Sequence, residues 1–266
     1  MPNAASRYAR IASVQLRVNA GRAMAYRADF ILEGFMALAW MFVVLLPLYV
    51  LFDKRDEVAG WDAPSALLVV AYFSAIRAVL EGLVSPSLVE LVERIRTGAF
   101  DYVLLKPADA QFLISAARQE PWKVIDLMWA VALAVYAFYL RGDSPSAGEL
   151  ALGLALFGAG VAAMYALWIM CAAASFWVVR LDNLIHLLEA VFDVARWPVQ
   201  VFRGAWRFVF TFVVPFAIMT TYPAMALLGR LDTTTALACV GGALAMLAVA
   251  RVLWRVAIRS YTSASS

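Results

Sequence analysis

Apolar residues along this chain come in runs too long for the elements of a soluble domain, and charge is confined to the gaps between them. Such runs fall at about residues 30–52, 64–88, 124–140, 149–179 and 235–257. Each holds enough apolar positions to carry a helix across a hydrocarbon layer about 30 Å thick. A sixth crossing is expected between 180 and 230, where two placements are open. Either 206–228 is the fifth span and 183–202 is an amphipathic cytoplasmic helix, or 183–201 crosses despite its charges. In the second case 206–228 dips in from outside and turns at Pro215 and Pro223.

The longest segment that cannot sit in lipid is 92–123, VERIRTGAFDYVLLKPADAQFLISAARQEPWK. Arg94, Arg96, Lys106, Arg118 and Lys123 mark it as cytoplasmic, since short loops rich in Lys and Arg stay inside. Its local signals predict a helical hairpin. Thr97-Gly98 ends one helix, because glycine adopts the left-handed conformation that closes it. Lys106-Pro107 forces an extended step, and Asp109 is placed to cap a second helix running through Phe112 and Leu113 to Arg118. The Phe100, Tyr102, Leu104, Leu105 run within it is the mark of a docking platform.

Composition agrees with the pattern. Of 266 residues, 64% are hydrophobic and 15% charged, with a mean hydropathy of +0.79, too little polar surface to cover a soluble globule. The expectation is an all-α integral membrane protein with six transmembrane helices and both termini cytoplasmic, a single transmembrane domain over 1–266. Residues 1–28 carry Arg7, Arg10, Arg17, Arg22 and Arg27 with no acid. No cleavable signal is read there. Ile11, Val14 and Val18 fall on one helical face, the pattern of a helix lying among lipid headgroups. The 53–62 loop, with Asp53, Asp56, Glu57 and Asp62 against Lys54 and Arg55, reads as outside. Counting Lys and Arg places 17 inside and four outside for the first placement of the fifth span, and 14 against seven for the second. The rule therefore favours the first.

Ala151, Ala155, Ala159 and Ala163, with Gly160, form a small-residue stripe that lets helices approach closely in lipid. Trp40, Trp61, Trp122, Trp177 and Trp254 are expected as interfacial anchors or packing. Arg77 and Glu81 stand one turn apart inside the second apolar run. The cost of a lone charge there predicts that they pair, and their Arg-before-Glu order, unfavourable to the helix dipole, predicts a further partner on another element. His186, Glu189 and Asp193 share a helical face. They read as a polar lining with Asp193 answered by Arg196 rather than as a metal site.

The residues exclude several functions. There is no G-x-x-x-x-G-K-[ST] phosphate loop, so energy must come from a partner or a gradient. Neither H-E-x-x-H nor G-x-S-x-G occurs, no cofactor is indicated, and nothing points to nucleic acid. Cys171 and Cys239 lie in apolar runs and make no disulfide or zinc pattern. Residues 30–140 and 148–257 do not repeat one another, as halves of many secondary transporters do.

Two stretches go beyond generic membrane patterning. RTGAFDYVLLKPADAQFLIS (96–115) and ARWPVQVFRGAWRFVFTFVVPFAIMTTYPAMALLGR (195–230) resemble the signature regions of the ABC-2 type permease family, in its six-span form, and the resemblance extends over nearly the full chain. It implies a multi-pass permease in the cell inner (plasma) membrane that works with a second protomer, homo- or heterodimeric, and a cytoplasmic ATP-binding subunit. It also implies that 92–123 couples to that subunit, with Arg94, Arg96, Phe100, Asp101, Lys106 and Asp109 as coupling residues. By the same resemblance 203–230 is re-entrant, with Pro198, Pro215 and Pro223 as its breakers, so the second placement is preferred against the charge count. Export of an amphiphilic or drug-like substrate, with membrane lipid as surroundings, is the implied function. The alternative is a stand-alone secondary transporter or channel in which Arg77, Glu81, His186, Glu189 and Asp193 line a polar path.

Overall fold

The structure, a computed structural model, describes residues 4–25, 27–177 and 188–261. A basic helix α1 (Ala4–Ala25) precedes α2 (Arg27–Phe52), and on α1 Val14, Leu16 and Val18 are exposed. The acidic loop after α2 is a two-stranded hairpin. β1 (Glu57–Val58) pairs antiparallel with β2 (Trp61–Asp62) around Ala59 and Gly60, both at positive φ. Two positive-φ residues are what a tight turn matched to strand twist requires.

The next helix is longer than its apolar run predicts. α3 (Ala63–Val79), a π-helical turn (Leu80–Val84) and α4 (Ser85–Arg96) follow without interruption, so the expected end near Leu88 lies in mid-helix. At about 1.5 Å per residue these 34 residues extend about 50 Å, well past a hydrocarbon core. α4 closes at Thr97, with Gly98 left-handed, and is followed by two short helices, α5 (Asp101–Leu104) and α6 (Ala110–Ser115). α6 stops three residues short of the expected Arg118. A turn at Pro121–Lys123 then leads into α7 (Val124–Arg141), ended by left-handed Gly142. Ser146 and Glu149 cap α8 (Ala147–Ala174) reciprocally. Asp232 caps the last helix, α9 (Thr233–Arg259), through the Thr235 amide at 2.8 Å.

α8 is the hub, packing on α3, α9 and 217–227, and Leu156, Gly160, Ala163 and Ile169 on it are buried. The alanine stripe is therefore only half a contact. Ala159 and Ala163 are buried, whereas Ala151 and Ala155 are exposed, because the face in contact at the N-terminal end of α8 runs through Gly153 instead. A Cβ at Gly160 would lie 2.9 Å from Ile76 Cδ1 and 3.1 Å from Met219 Cα. Only glycine permits that approach.

Five helices among the described residues are long and apolar enough to cross a membrane: Gly34–Phe52, Ala63–Arg96, Pro121–Arg141, Ala147–Ala174 and Thr233–Arg259. Neither expected form of the fifth span is one of them. The first placement fails as a continuous helix: Ala205–Phe208 with Val209–Val213 is interrupted at extended Val214 and Pro215 before Ala217–Thr221 and Tyr222–Leu227. Of the second, 183–187 lie outside the described residues; 188–192 are helical, Asp193–Arg196 and Val199–Val201 are tighter 3-10 turns, and Pro198 lies between them. Leu227 meets α8 at Gly153 and Met219 meets it at Gly160, so this piece lies along the half of α8 nearer the 53–62 hairpin. Arg230 also reaches the Gly60 carbonyl at 3.5 Å.

Candidate functional site

Charge inside the bundle is gathered into one chain of ion pairs, and the π turn of α3 is what assembles it. In that turn the Ser85 amide bonds the Leu80 carbonyl, one residue further back than in an α-helix. Pro86 has no N–H to offer Gly82. The Gly82 carbonyl instead accepts the Glu120 amide at 2.8 Å, and a Cβ on Gly82 would be 3.1 Å from Lys123 Cβ. Proline and glycine together draw the start of α7 against α3, and Lys123 arrives beside Glu81.

From there the pairs continue across four elements. Lys123 Nζ lies 2.7 Å from Glu81 Oε2 and 3.1 Å from Asp126 Oδ2. Arg77 Nε donates to Glu81 Oε1 at 2.6 Å, and its Nη1 donates to Asp193 Oδ1 at 2.6 Å. Arg196 closes the series, donating to the Asp193 carbonyl at 2.8 Å with a guanidinium nitrogen 3.9 Å from Oδ2. Acids and bases alternate, so no charge in the chain faces a like neighbour. Trp40 of α2 lies under the Arg77 guanidinium at 4.6 Å. Beside this chain, α2, α3 and α7 enclose a cavity of about 210 Å³ onto which Trp40, Ser74, Arg77, Glu81 and Lys123 open. Arg77 is about 20 Å along the helix from Ala63, past the middle of a stretch that spans about 30 Å and on the side that leads into α4.

The expected Arg77–Glu81 pair is thus present, and so is the further partner its unfavourable order called for. Asp193 is answered by Arg77 more closely than by Arg196. Glu189 accepts from Ser85 Oγ at 2.6 Å. His186 lies outside the described residues. Among those residues no group of three or more His, Cys, Asp or Glu is placed to hold a metal.

The platform is bound to the bundle at three points. Phe100 is 0% exposed, with its ring 5.4 Å from Phe176, 6.4 Å from Trp254 and 5.3 Å from Tyr261, all edge-on. Named above as a coupling residue, it is an anchor and presents no surface to a partner. A short helix such as α5 has no periodicity to tell its inward from its outward aromatics. Asp109 caps α6 through the Phe112 amide at 3.1 Å, and its carboxylate is gripped by Arg251 of α9. The Arg251 hydrogen bond, with the Phe112 amide second among the favourable contacts, holds the Asp109 carboxyl below the usual carboxylate range. Arg251 also donates to Gln111 Oε1 at 2.7 Å, and Gln111 and Ser115 both meet the Tyr165 hydroxyl of α8. The third point is buried Ser87, whose hydroxyl donates to the Arg118 carbonyl at 2.6 Å.

What remains outward is a narrow tip. Tyr102 is 73% exposed and Leu105 80%, with Lys106 and Pro107 also exposed. Arg94 and Arg96 are engaged by Glu90 and Glu93 of their own helix, Arg96 on its exposed side. Asp101 is half-buried. The α1 helix reaches this region through Tyr8, which packs edge-on to Phe112 at 4.8 Å and accepts the Asp109 amide at 3.2 Å.

Of the three breakers, Pro215 sits at the interruption, Pro223 in the first turn of Tyr222–Leu227, and Pro198 between the two 3-10 turns. The segment is pinned by Thr220 donating to the Ala195 carbonyl at 2.9 Å and by the Val199 amide on Thr221 Oγ1 at 3.1 Å.

No curated protein and no solved structure matches the chain. The pattern of one family, described as ABC-2 family transporter protein, matches residues 38–265.

Proposed function

Since the chain belongs to the ABC-2 family of transporter proteins, we propose that it is the permease of an ATP-driven exporter in the plasma membrane, energised by a separate cytoplasmic ATPase docked on the 92–123 platform. Two permease protomers, alike or different, would enclose the substrate path. The observation that carries this reading is the contrast within the platform. Phe100, Ser87 and the Asp109–Arg251 clasp fix its base to α4, α8 and α9, while Tyr102, Leu105 and Lys106 stand free at its tip. A lever of that build passes a push at the tip into the bundle.

The route inward runs through α4 to the Gly82–Glu120 contact, then along Lys123, Glu81 and Arg77 to Asp193. Asp193 begins the segment that leads to 205–227. Closure of the ATPase would tilt α4, stretch this ion-pair chain and shift 193–227, opening the path on the far side. The apolar surroundings suit an amphiphilic substrate.

Contacts among the described residues support the six-crossing form. Glu189 meets Ser85, and Arg203 lines a cavity with Arg55 and Val58 of the hairpin. Residues 189–203 therefore run from Ser85, about two-thirds of the way along the α3–α4 helix, to its hairpin end, the path of a fifth crossing. The pieces at 205–213 and 217–227 would then form a re-entrant pair on the hairpin side.

The test is copurification. Tyr102→Ser with Leu105→Ser leaves the anchors intact and should abolish retention of the ATPase by a permease that still elutes as a single species. Undiminished retention would remove the tip from the docking surface.

A further inference from the structure

The hairpin and residues 197–203 line a second hollow, open on one side and of about 640 Å³, which the transport reading does not use. Arg55 and Arg203 open onto it, and Glu57 is the one acid in its lining, which leaves a net charge of +1. Neither arginine has a hydrogen bond or ion pair among the described residues. Two unpartnered guanidiniums, each with five donors in a planar fork, suit the oxygens of a phosphate.

The rest of the lining defines what the phosphate would carry. Leu51, Val58, Trp197 and Phe202 supply an apolar side next to the lipid-exposed end of α2, where Tyr49 and Val50 are exposed. Gln200 also lines the cavity. Its amide nitrogen reaches Met225 Sδ at 3.5 Å, which holds the side chain against 222–227. The walls are held rather than loose: the Val199 amide is on Thr221, and the Phe202 ring packs on Phe210 at 4.9 Å.

We propose that this hollow binds a phosphate ester that carries no cation, the chemistry of an anionic glycerophosphate headgroup. Arg55 and Arg203 hold the phosphate, and Leu51 with Trp197 takes the start of an acyl chain. Phosphatidylglycerol and free glycerol phosphate share the recognised group. Phosphatidylcholine carries the phosphate but adds a cation beside two arginines.

The full-length protein, purified and presented with equimolar phosphatidylglycerol and phosphatidylcholine, is assayed by native mass spectrometry for retained lipid, and separately titrated with sn-glycerol 1-phosphate. Phosphatidylglycerol should be retained in preference. Arg55→Gln with Arg203→Gln should weaken it about tenfold or more, the cost of losing charge-assisted hydrogen bonds. Arg207→Gln, outside the lining, should leave it unchanged. Binding of sn-glycerol 1-phosphate as tight as that of the lipid assigns the site to a soluble ester; lipid binding alone assigns it to the membrane. Equal retention of the two lipids, or unaltered affinity in the double variant, overturns the proposal.

Discussion

Arg77 and Asp193, 116 residues apart in sequence, meet at 2.6 Å. This is the contact by which the second apolar helix holds the irregular segment before the last one. Both side chains are about three-quarters covered, so an uncompensated charge at either place is costly. Arg77→Gln leaves Asp193 only the more distant Arg196, at 3.9 Å, and Asp193→Asn removes one of the two acids that Arg77 holds. Each should lower the abundance and thermal stability of the purified protein by about 1–3 kcal/mol, the range for hydrogen bonds to charged groups. The double variant should cost less than the two together, by a coupling of about 0.5–3 kcal/mol. Strict additivity would mean that the pair holds nothing. If the double variant regains stability while transport stays low, the contact belongs to the conformational cycle as well as to the fold.

The clasp between Asp109 and Arg251 makes a prediction about acid. The Asp109 carboxyl is held below the usual range, chiefly by the Arg251 hydrogen bond, so the charged form is favoured by folding. Its contribution is complete above the ordinary aspartate pKa, about 3.9, and is lost only as pH falls through the depressed folded value. Asp109→Asn keeps the helix cap and removes the charge. The wild type should therefore melt higher than this variant from neutral pH down to about pH 4, with the gap closing at more acid pH. A gap that is already absent at pH 7 would show that Arg251 does not grip the platform.

How far these sites could be read beforehand depended on whether the signal was local. Gly98 and Asp109 announce a helix end and a cap by their own chemistry, and both are where the sequence puts them. That Arg77 needs a distant partner follows from the cost of charge in lipid, but nothing local identifies Asp193. The 57–62 hairpin was hidden by its acids and by Ala59, which takes a positive φ usually left to glycine or asparagine. Phe100 and Tyr102 are two residues apart in one aromatic run, one buried and the other 73% exposed, and only the bundle around Phe100 distinguishes them. Gly82 and Pro86 carried a signal that went unread. A proline four residues after a glycine in an apolar helix leaves a carbonyl free and room to reach it.

Two glycines of α8 should behave oppositely. A methyl at Gly160 meets Ile76 and, at 3.1 Å, the backbone at Met219, which cannot swing aside; a methyl at Gly158 meets nothing within 4 Å. Gly160→Ala should destabilise by about 1–3 kcal/mol through overpacking. Gly158→Ala should be neutral or stabilise by roughly 0.5–1 kcal/mol through helix propensity. Thermal denaturation in one detergent measures both. Equal effects would mean that α8 does not pack on 217–227 as closely as described.

The placement of 189–230 is decided by which side Gly204 faces. Charge counting puts it inside, because Arg203 and Arg207 flank it. The contacts argue otherwise: Arg203 shares a cavity with Arg55 and Glu57, and Arg230 reaches Gly60, so both ends of 203–230 lie against the acidic hairpin. That hairpin is at the opposite end of the α3–α4 helix from the basic platform, and the excess of Lys and Arg in the platform predicts a cytoplasmic side for it. Arg203 and Arg207 would escape the rule because they belong to a packed element beside acids rather than to a free loop. A cysteine at Gly204, in a chain carrying Cys171→Ala and Cys239→Ala, should react with a membrane-impermeant maleimide applied to intact cells. Gly204 is exposed and no side chain approaches it, but its φ of +56° strains any other residue, so the variant is first shown to elute and melt as its parent does. A second cysteine at Leu105, at the platform tip, should react only after permeabilisation. If both react together, the hairpin and the platform are on one side, and the six-crossing arrangement falls. If Gly204→Cys stays silent until permeabilisation while Leu105→Cys behaves as expected, residues 203–230 are cytoplasmic and the charge count was the better guide.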